Sequence, residues 1–174
     1  VLPQVSEWDA NEAKSHVESI IPNTIIASVV LVIPSLFGTF LFSEEILGLV
    51  FGPEYKSASL VLILLMSERL FHSVHLIFGQ SLQGIDKPEL AAISTIVSII
   101  ANVILNIILI LSLGIVGAAI ATLISFSINT FLHGYYLSKY IKIRMPYKRI
   151  SWCIISSTLM VFILYYVKTL ITID

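Results

Sequence analysis

The chain has 174 residues, of which 57% are hydrophobic and 12% are charged, with a formal net charge of −1 and ten Lys and Arg spread along its length. Soluble domains average about 25% charged residues, so this composition indicates an integral membrane protein and offers no basic groove for nucleic acid. The single cysteine, Cys153, excludes an intramolecular disulfide and a cysteine metal site.

The N-terminal segment begins VLPQVSEW, without an initiator Met and without the charged and apolar regions of a signal peptide. We expect the chain to begin inside a longer protein. Apolar residues in the segment 1–19 are too sparse for a membrane span. Their pattern predicts a connecting amphipathic helix on the cytoplasmic side of the membrane.

Five stretches are long and apolar enough to cross a membrane, which takes about 20 residues as a helix. They cover about 20–42, 58–83, 89–111, 117–137 and 150–171. The sequence therefore predicts an all-α integral membrane protein, a polytopic bundle of about five transmembrane helices. Because the connections are short, sequential helices are predicted to be antiparallel and adjacent.

Two local features modify the first span and its connection to the second. Pro34 lies in the middle of the span, where it removes a backbone hydrogen bond and should kink the helix. The following SEEILGLVFG begins with a helix start signal and ends before Pro53, which predicts a short helix along the membrane surface. Pro88, by contrast, suits the first turn of the third span.

Basic residues in the loops predict the orientation in the membrane. Seven of them lie on the side that holds residues 1–19, two lie on the other side, and Arg69 lies inside a span. We therefore expect the loop at 138–149 and the GIDKP turn to be cytoplasmic and Asp174 to be external. The seven are Lys14, Lys87, Lys139, Lys142, Arg144, Lys148 and Arg149.

Polar side chains form stripes at helical spacing in the first, third and fourth spans. Packing seams with hydrogen bonds between helices are one interpretation, since each such bond contributes about 0.6 kcal/mol. The other interpretation is that several of the stripes together line a water-filled cavity. The members are Thr24, Ser28, Ser35 and Thr39; Thr95, Ser98, Asn102 and Asn106; and Thr122, Ser125, Asn129 and Tyr136, with His133 nearby.

The second span carries four ionisable residues: Glu68, Arg69, His72 and His75. At about 100° per residue they occupy one side of the helix. A charge at the bilayer centre costs about 2.5–3.5 kcal/mol, so these groups need partners or water. The opposite side is apolar and holds Ile63, Leu64, Leu70, Phe71, Val74, Ile77 and Phe78.

Three interpretations of the charged side remain open. The first is a structural ion pair from Glu68 or Arg69 to a neighbouring helix, or a hydrogen bond between Glu68 and His72 one turn away. The second is an aqueous substrate path in which Arg69 holds an anion such as phosphate and Glu68 works with a histidine in proton transfer. The third, a metal site on Glu68, His72 and His75, lacks further ligands on facing helices, so we expect neither a metal nor a cofactor.

Two long stretches show a family resemblance. EEILGLVFGPEYKSASLVLILL at 44–65 and LQGIDKPELAAISTIVSIIANVILNIILILSLGIVGAAIATLIS at 82–125 are together similar to polysaccharide flippases of the multidrug/oligosaccharidyl-lipid/polysaccharide exporter superfamily. The residues that carry the likeness are Phe51, Gly52, Tyr55, Ala58, Lys87, Pro88, Asn102, Asn106 and 113–119.

The resemblance implies that this chain is the C-terminal part of a two-lobed protein that flips a lipid-linked oligosaccharide across the cytoplasmic membrane. The implied partners are a polyprenyl pyrophosphate-linked sugar, membrane lipids and an N-terminal lobe. A cation-coupled small-molecule exporter and a membrane-embedded glycosyltransferase or ligase are the alternatives. No catalytic residue is expected, and the candidate cavity residues are Glu68, Arg69, His72, His75, Asn102, Asn106 and Asn129.

Overall fold

A computed structural model describes the backbone of residues 2–171 and the side chains of residues 12–170. Five of its helices are long and apolar enough to cross a membrane, which confirms the predicted all-α membrane bundle. A short 3₁₀-helix, Pro53–Ala58, joins the first two. The five are α1 Leu2–Val50, α2 Ser59–Gly84, α3 Pro88–Leu113, α4 Ile115–Ser138 and α5 Tyr147–Ile171.

Helix α1 joins three segments that the sequence analysis separated: the amphipathic segment, the first span and the surface helix. Its backbone leaves helical angles at Phe42 (φ −121°, ψ 17°) rather than at Pro34. The Leu41 carbonyl beside this break accepts a hydrogen bond from Lys168 of α5, so a side chain compensates for the interruption. The side chains of residues 1–11 lie outside the described residues, and so does Asp174.

Tight turns fix two of the helix junctions. Asp86, with φ 59°, lets the Lys87 amide donate to the Leu82 carbonyl at 2.8 Å, and α3 starts at Pro88 as predicted. Gly114, with φ 58°, separates α3 from α4. A Cβ at Gly117 would collide with the Leu109 carbonyl, so glycine is required where the two helices approach each other.

The packing order of the helices differs from their chain order. α2 lies between α1 and α4, α3 packs on α4, and α5 packs on α1. The prediction that sequential helices are adjacent is wrong for α4 and α5, whose described residues make no contact, and α2 and α3 touch only slightly.

The loop 139–146 explains the position of α5. Ile141 is buried in the apolar core, and the Lys142 amide donates to the Glu18 carboxylate of α1 at 2.8 Å. These contacts direct the chain away from α4 and start α5 beside α1. Arg149 of α5 then donates to Asn23 of α1 at 3.4 Å, and the Cys153 thiol contacts the Val29 carbonyl.

The apolar core lies at the end of the bundle that carries this loop, called the loop end below. It is formed by side chains from α1, α2 and α4, one alanine of α3, and the two loops that meet them. By contrast, much of the apolar surface of α3 and α5 is exposed, as expected of helices that face lipid or further protein. The buried core residues are Ile21, Ile25, Val29, Ile33, Ile77, Phe78, Leu82, Ile85, Ala91, Leu137 and Ile141.

Candidate functional site

A groove separates α2 from α3. Both helices pack against α4, which forms the floor of the groove. Two cavities of about 540 Å³ and about 460 Å³ lie along it, the larger one nearer the loop end, and they share His75, Leu76 and Thr95. Because most other surfaces of the bundle are apolar, this groove is the candidate functional site.

The α2 wall of the groove is a stripe of residues at helical spacing. His72 and Leu76 line the cavity farther from the loop end, and Gln80 and Gln83 line the larger one. Arg69 lies one turn farther along the same stripe, with its side chain 57% exposed. One wall of the groove therefore carries a histidine and two amides, and a cation lies beside it on the same stripe.

The α3 wall contributes Thr95, Ser98 and Asn102. Asn106, one turn beyond, does not line the cavity but donates from its side-chain amide to the Asn102 Oδ1 at 2.9 Å. This bond to Oδ1 fixes the orientation of the Asn102 side-chain amide, including its nitrogen. Of the two α3 asparagines proposed from the sequence, only Asn102 lines the groove.

The floor of the groove is the polar stripe of α4, namely Thr122, Ser125 and Asn129. The hydroxyl of Ser125 donates to the Ala121 carbonyl at 2.6 Å within its own helix. Asn129 is buried, and its side-chain oxygen accepts no hydrogen bond from the described residues. An unpaired buried amide oxygen costs about 1–3 kcal/mol, which a hydroxyl group of a ligand or a water molecule would recover.

Three histidines meet where the two cavities join. The ring of His75 lies 5.1 Å from that of His72 and 5.5 Å from that of His133, with Phe126 packed beside them. The Nδ1 atoms of His75 and His133 each lie 2.9 Å from a backbone carbonyl oxygen. A carbonyl oxygen can only accept a hydrogen bond, so each Nδ1 carries the ring proton. Each Nε2 is then left with a lone pair that can accept a proton.

Glu68 occupies a different place from the histidines. It is 1% exposed and lines neither groove cavity, and neither carboxylate oxygen has a hydrogen-bond partner. The Arg69 Nε lies 3.2 Å from the Glu68 Oε2, close enough for an ion pair but not aligned for a hydrogen bond. Helical spacing puts Glu68 in line with His75 and Gly79, which contact α4 through His133.

The structure therefore divides the ionisable side of α2. His72 and His75 reach the groove, Arg69 is exposed beside it, and Glu68 is buried and lines neither groove cavity. A hydrogen bond between Glu68 and His72, one of the sequence-based alternatives, is not formed. Among the described residues, no group of three or more His, Cys, Asp or Glu side chains is placed to hold a metal ion.

Several residues that line the groove are not among the cavity residues predicted from the sequence. Gln83, Thr95, Ser98, Thr122, Ser125 and His133 all line a groove cavity. Most belong to stripes that the helical spacing had already identified. Helical spacing alone does not show whether a polar stripe faces a groove or packs between two helices.

A sequence model of one protein family, described as lipid II flippase MurJ, matches residues 1–173. The chain belongs to this MurJ family. The predicted resemblance to flippases is thereby confirmed, and the chain is a multi-pass membrane protein of a transporter family.

Two MurJ-family relatives from Haloferax volcanii are similar to this chain. It is 49% identical over 174 residues to a protein named "Probable low-salt glycan biosynthesis flippase Agl15", covering 100% of the chain and 37% of the relative. It is 30% identical over 167 residues to "Probable flippase AglR", covering 94% of the chain and 35% of that relative. The chain thus spans little more than a third of either relative. No solved structure gives a significant match.

Proposed function

We propose that this chain is part of a flippase that moves a lipid-linked oligosaccharide across the cytoplasmic membrane, and that the groove contacts the headgroup. The observation that carries this proposal is the set of polar side chains that line the open groove between α2 and α3, in a bundle whose exposed side chains are largely apolar. Membership of a flippase family supports it, as does the relative whose name refers to glycan biosynthesis.

The groove offers the two kinds of contact that a phosphorylated sugar needs. Side-chain amides of Asn102, Gln80 and Gln83 both donate and accept hydrogen bonds, which suits sugar hydroxyls. Arg69 binds phosphate oxygens through paired N–H groups, and the nearby His72 adds a donor when it is protonated. The cation lies farther from the loop end than the two glutamines, so phosphate and sugar contact different parts of the groove.

The rest of the protein would close the open side of this groove. A membrane transporter with two lobes exposes one site alternately to each side by moving the lobes against each other. The exposed apolar faces of α3 and α5 are suitable surfaces for lipid or for such a lobe. Basic residues concentrated in the loop 138–149 support a cytoplasmic location for the loop end.

A cation-coupled exporter of the same architecture is the second candidate. The buried carboxyl group of Glu68, without a hydrogen-bond partner, favours it, because such a group takes up a proton or a cation more readily than it stays ionised and alone. The two candidates differ in what occupies the groove: a phosphorylated sugar for the flippase and an apolar small molecule for the exporter.

The test uses the full-length protein in vesicles that contain a fluorescent lipid-linked oligosaccharide, with translocation measured by loss of fluorescence to an external quencher. Arg69→Gln and Asn102→Leu should each slow translocation by about tenfold or more, since each removes a hydrogen bond to a charged or polar group. The matched controls are Lys56→Gln in the 3₁₀-helix and Ser151→Leu on the exposed side of α5. Wild-type rates in both groove variants, with correct folding, would refute the flippase proposal.

A further inference from the structure

A third cavity, of about 500 Å³, lies on the face of the α2–α4 pair that is turned away from the groove. Its walls are Val74 and Phe78 of α2 and a row of α4 residues, and residues 143–147 close it at the loop end. We call it the loop cleft. Its lining residues are Val74, Phe78, Thr130, Phe131, Gly134, Tyr135, Ser138, Ile143, Met145 and Tyr147.

The inside of the loop cleft suits a hydrocarbon chain. Most of its lining is aliphatic or aromatic, and the hydroxyl of Thr130 is already engaged by the carbonyl oxygens of Phe71 and Phe126. Gly134 allows α4 to approach Phe78 closely, because a Cβ at Gly134 would lie 3.2 Å from that ring. The volume falls within the range of about 300–1,000 Å³ that is typical of small-ligand sites.

The segment that closes the loop cleft is rich in basic residues. The segment 138–149 contains Lys139, Lys142, Arg144, Lys148 and Arg149 and no acidic residue. The Lys139 Nζ lies 4.3 Å from the centre of the Tyr135 ring, which lines the cleft. Arg144 lies between two lining residues of the loop. Within residues 12–170, none of the described ion pairs uses a cation from this segment.

We propose that the loop cleft binds an anionic phospholipid, with one acyl chain between α2 and α4 and the phosphate held by Lys139 and Arg144. Charge complementarity selects this occupant: the segment 138–149 contains no acidic residue, and the nearby Glu18 carboxylate accepts from the Lys142 amide. Anionic headgroups are attracted to such basic segments beside a membrane span. Exposed aromatic residues at the mouth, Phe131 and Tyr147, are suited to the boundary between headgroups and acyl chains. This inference does not depend on the identity of the transported molecule.

The first test is native mass spectrometry of the purified full-length protein titrated with phosphatidylglycerol or phosphatidylcholine. The wild type should retain phosphatidylglycerol preferentially. The double variant Lys139→Gln/Arg144→Gln should lose roughly thirtyfold in affinity for phosphatidylglycerol, since each cation contributes about fivefold to sixfold. Lys56→Gln, which neutralises a cation outside this loop, is the control and should bind as the wild type does. Equal retention of phosphatidylglycerol in all three proteins would overturn the proposal.

The second test identifies the occupant and does not require that any variant fold. A phosphatidylglycerol with a photoreactive diazirine in its acyl chain is cross-linked to the wild-type protein in vesicles, and the labelled peptides are sequenced. Labelling should concentrate on peptides that contain Phe131 and Met145, and excess unlabelled phosphatidylglycerol should remove it. Labelling spread evenly over the exposed faces of α3 and α5 would overturn the proposal. Displacement by a polyprenyl phosphate but not by phosphatidylglycerol would also overturn it.

Discussion

The hydroxyl group of Thr130 on α4 lies 2.9 Å from the carbonyl oxygen of Phe71 on α2 and 2.8 Å from that of Phe126 on its own helix. Its single proton is shared between the two oxygens, so the hydroxyl ties α2 to α4. This contact lies at the junction between the groove on one face of the pair and the loop cleft on the other. The α2–α4 pair is thus the fixed wall that both cavities share.

Thr130→Val should weaken this connection. We expect the free energy of unfolding to fall by about 0.6 kcal/mol, the average for a hydrogen bond between membrane helices. The measurement is thermal or denaturant unfolding of the full-length protein in detergent. Thr158→Val is the matched control, because the Thr158 hydroxyl donates only to Ile154 within α5. Equal losses in both variants would show that the link between helices contributes nothing of its own.

Gly79 should respond differently to alanine than Gly38 does. A Cβ at Gly79 would lie 3.2 Å from the His133 Nε2, whereas nothing lies within 4 Å of a Cβ at Gly38. Gly38→Ala should therefore stabilise the helix, by up to about 1 kcal/mol. Gly79→Ala should lose that gain because His133 must move. The measurement is the unfolding midpoint of each variant. Equal stabilisation at both positions would contradict the close contact between Gly79 and His133.

Glu68→Gln should leave the protein at least as stable as the wild type at neutral pH. The carboxyl group is buried without a hydrogen-bond partner, and a neutral amide costs less to bury than a charge. Glu89→Gln, at an exposed position on α3, is the control. The comparison is made by thermal unfolding, and a large loss of stability at position 68 alone would identify the Glu68–Arg69 pair as structural.

The same Glu68→Gln variant tests the carboxyl group in transport. If Glu68 exchanges a proton during the cycle, the dependence of the transport rate on pH should change in the variant. Rates measured in vesicles from acidic to alkaline pH provide the comparison. An unchanged profile would remove Glu68 from any coupling role and with it the main support for the exporter alternative.

Hydropathy was sufficient to predict the number of membrane helices. That success has a simple cause: a span needs a long apolar helix, and a single stretch of sequence contains all the information. The continuity of α1 was not predicted, because a polar first third and a later break at Phe42 resemble separate elements when each is considered alone.

The sequence pattern did not predict contacts between residues that are far apart in the chain. The position of α5 beside α1 depends on burial of Ile141 and on the bond from the Lys142 amide to Glu18. Similarly, Glu68 and His72 are separated by only about 40° around α2. His75 lies at least as close to Glu68 around the helix and yet lines the groove, so the burial of Glu68 follows from packing rather than from periodicity.

The central claim is that one face of α2 borders a water-accessible groove, and cysteine labelling tests it most directly. In the full-length protein with Cys153 replaced by serine, single cysteines at positions 72, 75, 71 and 78 are exposed in vesicles to a membrane-impermeant thiol reagent. We expect His72→Cys and His75→Cys to react rapidly, and Phe71→Cys and Phe78→Cys to react slowly. Equal reaction at all four positions, or protection of positions 72 and 75, would contradict the groove as a path for a hydrated headgroup.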